Sequence, residues 1–131
     1  MNLQIKNDLS QLEIVRRALN EFITKQQLPI KVAKAIELAL DEILNNIIIY
    51  GFNDKDEHFI DIAISLQEES VVLEIKDDGL EFNPLTLPEP DTKSPMEDRP
   101  VGGLGIHLTR SLMDEINYTY ENNRNYLLSK N

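Results

Sequence analysis

Glu37-Leu-Ala-Leu-Asp-Glu-Ile-Leu-Asn-Asn-Ile-Ile-Ile-Tyr-Gly51 decides the fold. At 3.6 residues per turn, Ile36, Leu40, Ile43, Ile47 and Tyr50 make one continuous apolar stripe, so the stretch is a core helix ending at Gly51. Glu42 and Asn46 stand four residues apart and share one side of it. Leu38, Ala39 and Ile49 border that side, so it is not a plain solvent face. A carboxylate and a carboxamide set in such a wall need partners, because burying either unpaired is costly. Taken alone, the pair also suits a helix edge with ordinary solvated polar groups.

The chain around this helix has 131 residues, the size of one domain with a real core, and 41% of them are hydrophobic. We therefore expect a single domain over residues 1–131. There is no cysteine, which removes disulfides and thiolate metal sites, and His58 and His107 form no metal-ligand pattern. No apolar run approaches the length of a membrane span, and the first residues are not a signal peptide, so a cytoplasmic protein is expected. The net charge of −10 repels phosphate backbones and argues against nucleic acid as a partner. A nucleotide bound here would need a cation and backbone donors instead of a basic pocket.

Upstream of the central helix, Leu3 and Ile5 alternate with polar residues and suit an edge strand. Asn7 or Asp8 can cap a helix beginning near Leu9, whose buried side carries Leu12, Val15, Leu19, Phe22 and Ile23. Pro29 is well placed to open the central helix. Downstream, Ile60, Ile62, Ile64 and Leu66 alternate with polar or small residues. After a turn at 67–70, Val71, Leu73 and Ile75 alternate again, which predicts an antiparallel hairpin. Residues 85–101 hold four of the six prolines and four acids, and no regular element fits them. A loop this long inside a compact domain suits a lid or a binding loop. Gly102-Gly-Leu-Gly105 then precedes an amphipathic helix expected over 106–114. A last hairpin closes the chain, Ile116, Tyr118 and Tyr120 being answered by Tyr126 and Leu128 across Asn122-Asn123.

Two further motifs carry chemistry. Glycines just before a helix let the backbone approach a ligand, and the helix start favours a phosphate chain. No Lys-Ser or Lys-Thr follows them, so this is not a Walker sequence, and no strand precedes them as a dinucleotide fold requires. Asp77-Asp-Gly79 lies at a strand end. An aspartate there can accept a hydrogen bond from an amino group, while the glycine leaves room for a flat ring. Strand neighbours face opposite ways, so only one of the two acids need point inward. Each motif alone is weak, and a turn or a hinge would explain it. Their order, with a long loop between the second and the third, is uncommon.

Glu42-x-x-x-Asn46, Asp77-x-Gly79 and Gly103-Leu-Gly105 resemble the N box and the two glycine boxes of the GHKL ATPases, a superfamily that includes gyrase B, MutL and the histidine kinases. The small size and the run from Gly102 to Glu115 look most like the anti-sigma factor serine/threonine kinases of bacteria. The resemblance covers nearly the whole chain, from Leu3 to Leu128. It implies a Bergerat-type ATP-binding fold, a two-layer α/β sandwich with a mixed, mainly antiparallel sheet and three helices on one face.

The resemblance also implies roles. Asn46 would coordinate Mg²⁺, an ion that takes few protein ligands beside water and phosphate oxygens. Glu42 would orient or deprotonate the attacking hydroxyl. Asp77 would bond the adenine amino group of ATP with Gly79 beneath the ring, and Asn125 would support Asp77 through water. Gly103, Leu104 and Gly105 would cradle the phosphates under a lid formed by 85–101, with Arg99 as the lid cation for the γ-phosphate.

In function, the resemblance implies a serine kinase that phosphorylates a small antagonist protein and sequesters a sigma factor. A regulatory module that binds ATP without transferring phosphate, and a simple ATPase, are the alternatives. Relatives often form homodimers. The chain departs from them at Glu81, where many carry a second glycine, and at Tyr50, where several carry histidine. No phosphoacceptor helix precedes the ATP-binding boxes, which argues against a self-phosphorylating histidine kinase. His107 is expected to be packed, not reactive.

Overall fold

The computed structural model describes residues 1–68, 70–83 and 113–131. Strand β1 (Asn2–Lys6) is followed by a short 3-10 turn (Leu9–Gln11), helix α1 (Leu12–Lys25) and helix α2 (Ile30–Tyr50). Strands β2 (Phe59–Gln67), β3 (Ser70–Asp77), β4 (Glu115–Glu121) and β5 (Arg124–Lys130) complete the sheet in the order β1-β2-β3-β5-β4. All its pairings are antiparallel, so the mixed sheet expected above is antiparallel throughout the described residues. The connections allow this directly, because both hairpins join strands that are neighbours in sequence and in space.

Asp8 caps the 3-10 turn, its Oδ1 accepting from the Ser10 N–H at 2.9 Å. Helix α1 buries Leu12, Val15, Leu19 and Phe22, a 3–4 spacing that lines one face. Pro29 stands at the N-cap of α2 and Gly51 at its C-cap. Ile36, Leu40, Ile43, Leu44 and Ile47 of α2 meet Ile60, Ile62, Ile64, Val71, Leu73, Ile75 and Leu127 of the sheet in one core. Tyr50 and Leu66 stand outside it, exposed at the ends of their elements. Two α-helices belong to the described residues. The third, expected over 106–114, falls outside them except for Met113 and Asp114, which are not helical.

Asn122 and Asn123 both adopt positive φ, 54° and 60°, as a two-residue hairpin turn with the right twist demands. This turn sets the register of β4 on β5: Tyr118 faces Leu127, Tyr120 faces Asn125 and Ile116 faces Ser129. Tyr126 and Leu128 therefore lie on the opposite face from the three residues they were expected to answer. The β5 sequence carries apolar side chains on both faces, so its alternation does not choose between them, whereas a one-residue change of register inverts every side chain.

Because both turn residues must sit in the left-handed region, Val at either position should destabilise the protein by about 1–2 kcal/mol. Asn123→Gly should match or exceed the wild type. Urea unfolding checks this, and wild-type midpoints for the Val variants would refute the turn geometry.

Candidate functional site

Among the described residues the buried polar side chains are Asn46, Asp77, Asn125 and Ser129, and three of these are candidates from the sequence. Asp77 ends β3 on the face that carries Val71, Leu73 and Ile75. In register it lies between Ile60 of β2 and Asn125 of β5, and it is 6% exposed. Its Oδ1 accepts from the Gly79 N–H and from Asn125 Nδ2, both at 2.9 Å. Burial pushes its carboxyl above the usual carboxylate range, and these two donors oppose that push. No donor among the described residues reaches Oδ2.

Asn125 bonds Asp77 directly, not through water as expected. Its Nδ2 also donates to the Leu80 carbonyl at 2.7 Å, and its Oδ1 accepts from the Phe82 N–H at 3.1 Å and from the Tyr118 hydroxyl. Both amide hydrogens and both oxygen lone pairs are thus engaged. The Phe82 N–H can only donate, so the carboxamide has one allowed orientation, with its nitrogen toward Asp77.

Gly79 serves the chain's own packing. A Cβ there would lie 2.5 Å from the Gly51 carbonyl oxygen and 2.8 Å from Cε1 of Phe52. The Leu80 N–H donates to that same Gly51 oxygen at 2.9 Å. The end of α2 and the segment after β3 are therefore joined backbone to backbone, and the Tyr50 and Phe82 rings meet at 6.2 Å beside the junction.

Upstream in α2, Asn46 is buried, and its Nδ2 has no hydrogen-bond partner among the described residues. The same holds for Oε2 of Glu42. Loss of solvation, and then the neighbouring Asp41 charge, raise the Glu42 carboxyl above its ordinary range. Unsatisfied polar atoms are costly in a folded protein, and these two stand one helical turn apart; Ser129 Oγ is a third among the described residues. Among the described residues no group of three or more His, Cys, Asp or Glu could hold a metal ion. A cation at Asn46 would accordingly take one protein oxygen, with water and phosphate completing its shell, as Mg²⁺ does beside a nucleotide.

Arg99, Gly103, Leu104, Gly105 and the 85–101 loop lie outside the described residues, as does His107. Two features escaped the sequence reading. Tyr118 was assigned to a hairpin face and not to Asn125. His58 has Asp54 Oδ1 2.8 Å from Nε2, Asp78 Oδ1 3.1 Å from Nδ1, and the Phe52 ring stacked at 4.7 Å. The four-residue spacing of Asp54 and His58 was a signal in the sequence, whereas Asp78 arrives only through the β2–β3 pairing.

An antiparallel sheet layered with helices, and an aspartate and an asparagine buried at its helix-facing side, define a class of nucleotide-binding domain. Residues 5–128 match the histidine kinase-like ATPase domain family, and the chain belongs to it. Serine-protein kinase RsbW of Bacillus mycoides is 29% identical over 99 residues, covering 72% of this chain and 61% of that protein. Anti-sigma F factor of Priestia megaterium is 29% identical over 118 residues, covering 88% and 80%. The chain thus spans less than two thirds of the RsbW relative's length. In fold it is similar to a crystal structure of the RsbU and RsbW domains of a Mycobacterium tuberculosis protein. That likeness has a TM-score of 0.65 at 13% identity, over 99% of this chain and 32% of that one. The histidine kinase domain of a blue-light-activated Erythrobacter litoralis kinase follows at TM-score 0.55 and 17% identity, over 79% and 45%. No helix among the described residues is long and apolar enough to cross a membrane.

With a carboxylate at each ring nitrogen, His58 is satisfied best as the imidazolium, and the Asp54 bond foremost holds its pKa above the ordinary 6.5. The resulting stabilisation is fully present below pH 6.5 and is lost as pH rises through the higher folded value. An NMR titration should place His58 above 6.5 in the wild type and lower in Asp54→Asn. Equal titration of the two proteins would refute the clasp.

Proposed function

We propose that the protein is an anti-sigma factor serine kinase, which binds Mg·ATP, phosphorylates a small antagonist protein on serine and sequesters a sigma factor. The observation that carries this reading is the pair of unsatisfied buried polar atoms on Glu42 and Asn46, on the helix whose end is joined to the Asp77 segment. The RsbW and anti-sigma F relatives support it.

Each residue then has a task. Asp77, with Oδ1 already saturated, offers Oδ2 to the adenine amino group. Asn46 would hold Mg²⁺ through its side-chain oxygen. The ion supplies charge neutralisation at the phosphates when bound. Glu42, made more basic by its partial burial, takes the proton of the attacking serine hydroxyl, and the γ-phosphoryl group passes to that oxygen as ADP leaves. On the resemblance alone, Gly103, Leu104 and Gly105 are assigned to the phosphates and Arg99 to the γ-phosphate, these four residues lying outside the described ones. Phosphate on the antagonist adds charge and bulk at its contact with the kinase and releases it.

Incubation with γ-labelled ATP and the antagonist encoded nearest to this chain should label a serine. ATP binding without label would leave a binding module and overturn the kinase reading. Glu42→Ala should retain ATP and lose turnover by about 10²–10⁴-fold. Asn46→Ala should abolish the Mg²⁺ dependence of nucleotide binding. Asp77→Asn should weaken ATP by about 1.5–3 kcal/mol, because an amide donor replaces a charged acceptor. Calorimetry with folded variants reads all three, and normal phosphotransfer by Glu42→Ala would remove it from catalysis.

A further inference from the structure

We propose that His58 is a positioning residue of the nucleotide site, tying the segment after α2 to the end of β3 when its ring is protonated and releasing it when the ring is neutral. The proposal rests on the reading of Asp77 and Gly79 as the corner that meets the base, and it adds a dependence on pH.

Each ring nitrogen of His58 faces a carboxylate from a different part of the chain. Nε2 lies 2.8 Å from Oδ1 of Asp54, in the same segment, and Nδ1 lies 3.1 Å from Oδ1 of Asp78, just past the end of β3. The imidazolium donates to both. A neutral ring carries a single N–H, so its other nitrogen would turn a lone pair toward a carboxylate, and that contact is lost. The Asp54 bond is the shorter and the more local, so the neutral ring keeps it and frees Asp78. One proton thereby decides whether this side chain joins the two segments.

The joint sits behind Gly79. The Phe52 ring stacks on His58 at 4.7 Å with 23° between their planes, and its Cε1 stands 2.8 Å from where a Gly79 Cβ would lie. Phe52 is thus held between the imidazole and the glycine assigned to the base. Asp78, the far end of the joint, stands between Asp77 and Gly79 in the chain. The other charges around the ring are Lys55, Asp56 and Glu57 of its own segment, Lys6 of β1, paired with Glu57 at 3.2 Å, and Asp77 of β3. Helix α2 brings none to this corner, its last charged residue being Glu42. Acids outnumber bases here, which favours the protonated ring. A nucleotide that fits the joined corner binds best below pH 6.5, and more weakly once pH has risen through the higher folded pKa of His58. By the same linkage, bound nucleotide raises the His58 midpoint by the logarithm of that affinity ratio.

The test is an NMR titration of His58 in the full chain with and without saturating Mg·ADP, paired with calorimetric Mg·ADP affinity across the same pH range. His58→Gln assigns the resonance against His107 and corrects for the titration of the nucleotide's own phosphate. Relative to His58→Gln, wild-type affinity should fall by about twofold to fivefold across the midpoint, the worth of one exposed ion pair. Mg·ADP should raise the midpoint of the wild type. Asp78→Ala should abolish that rise, because the ring then has no carboxylate to hold on the strand end. A rise undiminished in Asp78→Ala comes from the field of the bound phosphates and overturns the proposal. A midpoint that Mg·ADP leaves in place or lowers overturns it as well, while leaving Asp77 as the acceptor. Absence of Mg·ADP binding, or Asp77→Asn binding as tightly as the wild type, refutes the reading of the base corner itself.

Discussion

The burial of the Asp77 carboxylate is the constraint on which the rest of this structure depends. The row Ile5, Ile60, Asp77, Asn125 and Tyr120 crosses the sheet in register, and an acid at its centre replaces what the core would otherwise fill with an aliphatic side chain. Removing such a group from water is expensive unless donors compensate. Gly79 and Asn125 supply them, and each has further obligations. Gly79 must lack a side chain because the Gly51 carbonyl occupies the space, while Asn125 must hold Leu80, Phe82 and Tyr118 as well. One buried charge thereby dictates the path of residues 78–82 and the seating of β5 on β3.

Helix α2 is organised by the complementary rule. Nine of its 21 residues are buried, eight of them apolar, and they seat the helix against the sheet. Beside that face, Glu42 and Asn46 retain atoms without partners among the described residues, a cost that the surrounding aliphatic packing offsets. Rigidity and unsatisfied polarity belong together in a site, since a flexible helix would turn such groups toward water or toward each other. The junction of Gly51 with Gly79 and Leu80 couples the helix carrying this pair to the strand end carrying Asp77. The His58 clasp reinforces the same corner, joining the segment after α2 to Asp78 by charge. In a chain of net charge −10, a cation held between two aspartates also lowers the local repulsion beside Asp77.

Much of this was written in local sequence. Helix α2 follows from the spacing of Ile36, Leu40, Ile43 and Ile47, and the β2–β3 hairpin from strict alternation, because periodicities of 3.6 and 2 are properties of the backbone itself. Glu42 with Asn46, and Asp77 with Gly79, were legible for the same reason: each pair lies within one turn or one strand end. The two-residue turn at Asn122-Asn123 was legible because these side chains tolerate positive φ.

Contacts between distant segments were decided by the tertiary structure alone. Asn125 lies 48 residues from Asp77, and only the β3–β5 register brings them face to face. Whether Tyr118 looks inward with Asn125 or outward with Tyr126 turns on a one-residue choice, since β5 offers apolar side chains to both faces. The antiparallel pairings of β1 with β2 and of β3 with β5, and the encounter of Gly79 with the end of α2, likewise follow from how the elements assemble. Periodicity determines what an element must bury. Which partner it meets is settled by the packing of the whole core, where a buried carboxylate admits only the register that brings it a donor.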